Sequence, residues 1–329
     1  MKSAMAFLRR APAAAILLAS LSLSGCGGGA AALFAGGGIG GTGFSTGAII
    51  AFGSVTVNGV KFETNDNTVR RLLDIGTGNI PGADNEVFRL GMIVRVHYAA
   101  GDNTALRIDF QDDLEGPVAG LDDGAGTFTV LGQPVAFDNA TKFLFVGGAT
   151  FVENAIVEIS GLYDADGVLH ATFIEVEPPG SKTEYEIKGY VSNLTASTFT
   201  IGPGPGPGTI TVDYTTIPAE LKDLPPAGLS NGLFVEVKTA STTGTLVATS
   251  VEGEIDVADD APVDGEARIE GFVANLEGGP LDFTFTLNGI TVRTNAATEG
   301  VQNVFPNAHV EAEGSVSNGI LTADRIRAR

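Results

Sequence analysis

The chain has 329 residues, with 39 acidic and 19 basic side chains and a formal charge of −20. That charge repels phosphate backbones and excludes nucleic acid as a partner. One cysteine excludes an intrachain disulfide, and the lack of tryptophan weakens any reading as a sugar-stacking surface.

Residues 1–26 read as an export signal. Lys2, Arg9 and Arg10 form its charged start. Ala11 to Ser24 is mostly apolar but too short to cross a bilayer core of about 30 Å. The segment ends in Leu23-Ser24-Gly25-Cys26, which resembles the bacterial lipobox. In that family the cysteine thiol receives a diacylglycerol and the freed amine is acylated. The resemblance therefore implies that Cys26 is the lipidated first residue of the mature chain and that the membrane is a partner through this anchor. Each buried methylene adds about 0.8 kcal/mol, so several acyl chains hold stably. The next residue is Gly27 and not Asp, which implies sorting to the outer membrane. Losing Lys2, Arg9 and Arg10 leaves 16 bases against 39 acids, a net −23.

Residues 27–46 are rich in glycine and predict a flexible tether, with a reach of roughly 25 Å. From Gly47 the chain repeats itself. We place four modules at 47–113, 114–182, 183–262 and 263–329. The last is the cleanest copy. Its strand signals are Arg268–Leu276, Asp282–Leu287, Ile290–Thr294, His309–Glu313 and Ile320–Ile326. The second and third flank Asn288-Gly289, a two-residue turn whose positive-φ positions suit Asn and Gly. Matching first strands open at Gly47, Gly116, Gly189 and Gly271, spaced by 69, 73 and 82 residues. That period exceeds a solenoid repeat, so each copy predicts its own small domain. Matching fourth strands read Val94-Arg-Val96, Val157-Glu-Ile159, Val235-Glu-Val237 and Val310-Glu-Ala312.

Apolar and polar residues alternate in every strand, as in sheets with one buried face. The expected fold class is all-β: four tandem five-stranded antiparallel modules, built as OB-like barrels. A meander or small sandwich fits nearly as well. Between the third and fourth strands, Asn67–Asp74 and Pro218–Leu224 predict short helices. Gly202–Gly208 predicts a long loop in the third copy. The acidic stretch Glu254–Gly265 predicts an exposed joint before the last module.

Residues 47–329 resemble a family of exported bacterial proteins made of repeated β modules, catalogued only as a domain of unknown function. The matching features are the Gly-x-Val opening, Phe-Thr-Val/Ile, Val-Glu-Val and Gly-x-Leu-x-Ala-x-x-Ile. The resemblance implies fold and export, and no reaction.

The chemical motifs are weak. Gly38-Ile-Gly-Gly-Thr-Gly43 fits a dinucleotide pattern but lacks the flanking strand and helix. Gly43-Phe-Ser45-Thr-Gly47 fits a hydrolase elbow, yet glycines precede it and a strand follows. His97, His170 and His309 fall at unrelated positions of different copies. Asp164-Ala-Asp166-Gly167 begins like a calcium loop, but Val168 and Leu169 stand where an oxygen ligand and a glycine are needed. A hairpin turn explains it better. Asp112-Asp113, Asp122-Asp123 and Asp259-Asp260 predict solvated charge. Arg325, Arg327 and Arg329 predict an edge-strand guard.

These observations assign no catalytic, cofactor-binding or metal-binding residue, and one modified residue, Cys26. They point to a lipid-anchored cell-envelope protein at the outer membrane, a non-enzymatic structural or binding scaffold for a protein or polysaccharide. A secreted hydrolase acting at an interdomain cleft and a divalent-cation-dependent adhesion module are the alternatives.

Overall fold

The computed structural model describes residues 42–99, 101–204, 208–256 and 260–329. Strands dominate them. The first stretch holds β1 (Thr42–Ala51), β2 (Val55–Val57), β3 (Val60–Phe62), β4 (Val69–Leu72), β5 (Ile93–Ala99) and β6 (Ala105–Phe110). The second holds β7 (Leu114–Asp122), β8 (Thr127–Val130), β9 (Gln133–Ala136), β10 (Lys142–Phe145), β11 (Ile156–Tyr163) and β12 (Leu169–Glu177). The third holds β13 (Tyr185–Ser192), β14 (Thr198–Gly202), β15 (Ile210–Asp213), β16 (Glu220–Lys222), β17 (Phe234–Thr239) and β18 (Leu246–Gly253). The last holds β19 (Asp264–Phe272), β20 (Ala274–Gly278), β21 (Phe283–Leu287), β22 (Ile290–Arg293), β23 (His309–Ser317) and β24 (Ile320–Ala328).

The second stretch shows the pairing most simply. β7 pairs antiparallel with β8, β8 with β9, and β9 runs parallel to β12. β12 pairs antiparallel with β11, which returns to β7 and closes a five-stranded ring. The third stretch closes the same way. In the last, β19 and β20 together act as the opening strand. In the first, the closing contact shrinks to one parallel bridge, Glu63 to Thr104. A register shift recurs between the final two strands of every ring, at His97/Tyr98, Ser160/Gly161, Lys238/Thr239 and Glu313/Gly314. Such bulges bend strands enough to close a small barrel.

Alternation supplies the cores. β21 reads Phe-Thr-Phe-Thr-Leu with Phe283, Phe285 and Leu287 buried. The Asn288-Gly289 turn has φ of 46° and 76°, both left-handed, as the hairpin requires.

Several expectations need correction. β1 begins at Thr42, inside the stretch read as tether, and Gly43 to Thr46 are buried between β5 and β19. Ser45 lies within this strand, not on an exposed turn, and its hydroxyl accepts the Asn58 amide at 3.1 Å. Over 67–74 the chain turns helical only at its end, as a 3-10 turn at Leu73–Ile75, and over 218–224 no helix forms. Instead β4 and β16 are short strands, parallel to β6 and β18. Each ring's last strand outruns its pairing with the third strand, and this leaves an open edge. β4, β10 and β16 cover that edge, adding a strand beyond the expected five. Cys26 and most of the tether lie outside the described residues, as does Asp259.

The rings do not pair in chain order. β1 runs parallel to β19, joining first to last, with Phe44 opposite Ala267 and inside the last ring's core. β7 pairs with β13 through Leu114 and Ile187, so the second and third rings share one continuous core.

Candidate functional site at the junction of the rings

The first-to-second connection, Gln111-Asp112-Asp113, runs through the middle of the molecule and is not solvated. Asp112 is buried, which corrects the expectation for this pair. β13 sends Lys188 to the same place. Its ammonium lies 2.6 Å from Asp112, 2.9 Å from Asp74 and 3.1 Å from Glu236. Burial opposes the charge on Lys188, but these three carboxylates outweigh it and hold the ammonium well above its usual range. Burial and the charge of Asp74 push Asp112 upward, and the Asp112 N–H donates to Asp74 Oδ2 at 3.4 Å. Burial also raises Asp113 to about 7, although its Oδ2 accepts the Gly161 N–H at 2.9 Å.

The stretch leading to the last ring docks here as well. Glu254 accepts the Gln111 amide at 2.8 Å, and the Ile255 carbonyl accepts Arg95 at 3.0 Å. Asp256 takes the Tyr190 hydroxyl. Asp260 lies 2.9 Å from His97 and 2.7 Å from Arg107. Burial opposes the Asp260 charge, but the His97 hydrogen bond and the nearby cations pull its carboxyl down to about 2. Of the joint expected to be exposed at 254–265, Glu254 to Asp256 and Asp260 are docked, while Val263 and Asp264 are exposed. Asp260 meets the cations of the first ring, which offset its charge.

The histidines come together with acids in a way the repeat alignment hides. His170 contacts Asp164 at 2.9 Å, and His309 contacts Glu270 at 3.1 Å. The rings of His170 and His309 both pack on Phe272, with centroids 4.4 and 4.7 Å away, latching the second ring to the last. Asp164 takes the N–H groups of Asp166 and Val168, which confirms a turn, and Asp166 accepts the Asn307 amide at 2.6 Å. Asp122 caps its own exposed turn by accepting the N–H of Gly124 and Ala125. His97, Asp109 and Asp260 are spaced as metal ligands can be. Arg71 and Arg107 already bond both Asp109 oxygens there, so guanidinium nitrogens hold the positions a cation would take.

The arginines of β24 stand beyond its short pairing with β22, which ends at Thr322, on a stretch of edge bridged to Glu299 at Arg325. They also pair with acids: Arg327 and Arg329 bond Glu311, while Arg325 bonds Glu299. Glu311 is the Val-Glu-Val position of its ring and is fully buried; Glu236 is its counterpart at Lys188. The repeat alignment contained this signal: a charge kept at the outward position of an otherwise apolar strand marks a contact between elements.

Between the rings lies a cavity of about 580 Å3. Thr46 and Arg95 of the first, Asp113 and Tyr163 of the second, Lys188 and Tyr190 of the third and Phe272 of the last line it.

Fold and junction together define an all-β protein of tandem five-stranded rings with a shared polar centre. The chain belongs to the family described as Domain of unknown function (DUF5666), which it matches over residues 115–175, 188–252 and 270–327. No curated protein matches it. The first ring, closed by a single bridge, lies outside the matched residues.

Proposed function

We propose that this is a lipid-anchored cell-envelope protein, held at the outer membrane through Cys26, that works as a non-enzymatic structural or binding scaffold for a protein or polysaccharide. The carrying observation is the Lys188 cluster. Its carboxylates come from the first ring (Asp74), the connection (Asp112) and the third ring (Glu236), so these charges tie separate parts of the chain together. The strand order, with the third and last strands of a ring parallel, supports the OB-type reading of each module. Among the described residues no helix is long and apolar enough to cross a membrane, which fits attachment by a lipid.

The test is fractionation of cells carrying Cys26→Ser, with labelled palmitate. Wild-type protein is expected in the outer membrane with label, and the variant unlabelled and unprocessed or soluble. A variant that is processed normally and stays with the membrane removes the anchor from this reading. The second reading, a hydrolase acting at the cleft between rings, is favoured by Asp113, a cavity-lining carboxyl held near neutral pH. Turnover of ester or glycoside substrates, lost in Asp113→Asn, would favour it over the scaffold.

A further inference from the structure

The cavity between the rings has a chemistry of its own. We propose that it binds a small organic cation, an amine or a quaternary ammonium. At about 580 Å3 it is in the size range of pockets that enclose small ligands. The carboxylates in its wall are Asp112, Asp113, Asp164, Asp166 and Asp256, against two cations, Arg95 and Lys188. Neither cation is available to a ligand. Lys188 is engaged by three carboxylates, and Arg95 donates to the Ile255 carbonyl and to Gln111 at 3.0 and 2.9 Å. Setting Asp112 against Lys188 and Asp113 against Arg95 leaves Asp164, Asp166 and Asp256, an acidic excess in a partly desolvated space, where charge acts more strongly than at an open surface.

Aromatic side chains complete the wall. Tyr163 of the second ring and Tyr190 and Phe234 of the third line it; Phe272 also borders it, with its faces covered by His170 and His309. Ring faces are electronegative and attract cations, most strongly when both are shielded from water. A neutral sugar gains nothing from the charge, and an anion is repelled.

Asp113 links occupancy to protons. The charged and titratable groups around it are Lys188, Arg95, Asp74, Asp112 and Tyr163. A cation in the cavity favours its ionised form, so binding releases a proton and strengthens as pH rises from 6 to 8.

This inference goes beyond the scaffold reading, which stands whether or not the cavity binds anything. The test is isothermal titration of the full chain, purified in detergent, with choline and with spermidine, and with glucose and glutamate as controls. Saturable binding of at least one cation is expected, tighter at pH 8 than at pH 6, with neither control binding. Asp113→Asn and Phe234→Leu should each weaken it by ~tenfold or more, about 1.4 kcal/mol. Two variants are used so that one that unsettles the fold does not decide the test; cooperative melting identifies the one to read. Absence of binding by both cations, equal binding of glucose or glutamate, or wild-type affinity in a variant that melts cooperatively overturns the proposal.

Discussion

A four-residue turn, Asn/Asp-x-x-Thr, follows the third strand of every ring: Asn65–Thr68, Asp138–Thr141, Asp213–Thr216 and Asn295–Thr298. In three of them the geometry is the same. The Thr hydroxyl accepts the N–H of the opening Asn or Asp and donates to an alanine carbonyl at the head of the last strand. The donor distances are 2.8 Å for Thr68 to Ala105, 2.7 Å for Thr141 to Ala171 and 2.7 Å for Thr298 to Ala323. In the third ring Thr216 folds back onto Asp213 instead, and Thr239 bonds the Val247 carbonyl. The short side chain thus closes a turn and pins a strand with one hydroxyl. Thr298→Val keeps the shape but removes the donor to the buried Ala323 carbonyl and the acceptor of the Asn295 N–H. We expect a loss of about 1–3 kcal/mol, read as a lower urea midpoint at unchanged slope. An unchanged midpoint would mean that the Thr298 hydroxyl does not anchor the strand.

Across the joined sheets of the second and third rings, four glutamates stand in register on neighbouring strands. Glu175 of β12 faces Glu158 of β11, Glu158 faces Glu115 of β7, and Glu115 faces Glu186 of β13. Like charges directly opposite one another destabilise a sheet. Lys182 bonds Glu115 and Lys238 bonds Glu186, at one end of the row. Burial first, then the charge of Glu175, raises Glu158 to about 8; Lys182 opposes this, while Glu115 and Asp74 add to it. Burial likewise raises Glu254 to about 7. The folded state therefore binds protons more tightly than the unfolded chain. This stabilisation is complete below the unfolded value near 4.5 and is lost as pH rises through 7 to 8. Thermal unfolding should occur several degrees higher at pH 5.5 than at pH 8.5. Glu158→Gln, which cannot ionise, should flatten part of that slope by raising stability at pH 8.5. If the wild type and Glu158→Gln show the same pH profile, Glu158 is ionised throughout and the row is neutralised in another way.

At the scale of the whole molecule the chain closes on itself. The first and last rings join through parallel strands, Gly43 to Thr46 against Glu266 to Ile269, and Arg268 adds a bond to the Tyr98 hydroxyl at 3.0 Å. The second and last rings latch through Phe272 and its two histidines. A single ring of about 70 residues is marginal alone because it buries only about 60 % of its unfolded surface. Sharing cores and strand edges offsets that without a disulfide. Cutting the chain between Asp256 and Asp260, at an inserted protease site, should therefore leave the last ring bound. We expect both fragments to elute together from a sizing column and to separate only in denaturant. Elution of the last ring alone in native buffer would contradict the closed arrangement.

Strand content, the hairpin turns and the outward charges were legible along the chain because they are local. Alternation with period two needs only neighbours, Asn288-Gly289 needs only its own φ angles, and Val-Glu followed by Ile, Val or Ala recurs at matching places in three copies. The short strands β4 and β16 were not legible. Their sequences carry no decisive pattern, and the open edges of β6 and β18, which draw them into strand form, arise only when each ring closes. The junction was hidden for a related reason. Asp112, Asp113 and Asp260 look like surface charge until the cations Lys188, Arg95 and Arg107 arrive from other parts of the chain. A carboxylate's environment depends on what folds against it. Here the partners are brought by pairing the first ring with the last and the second with the third, an order that no run of residues along the chain encodes.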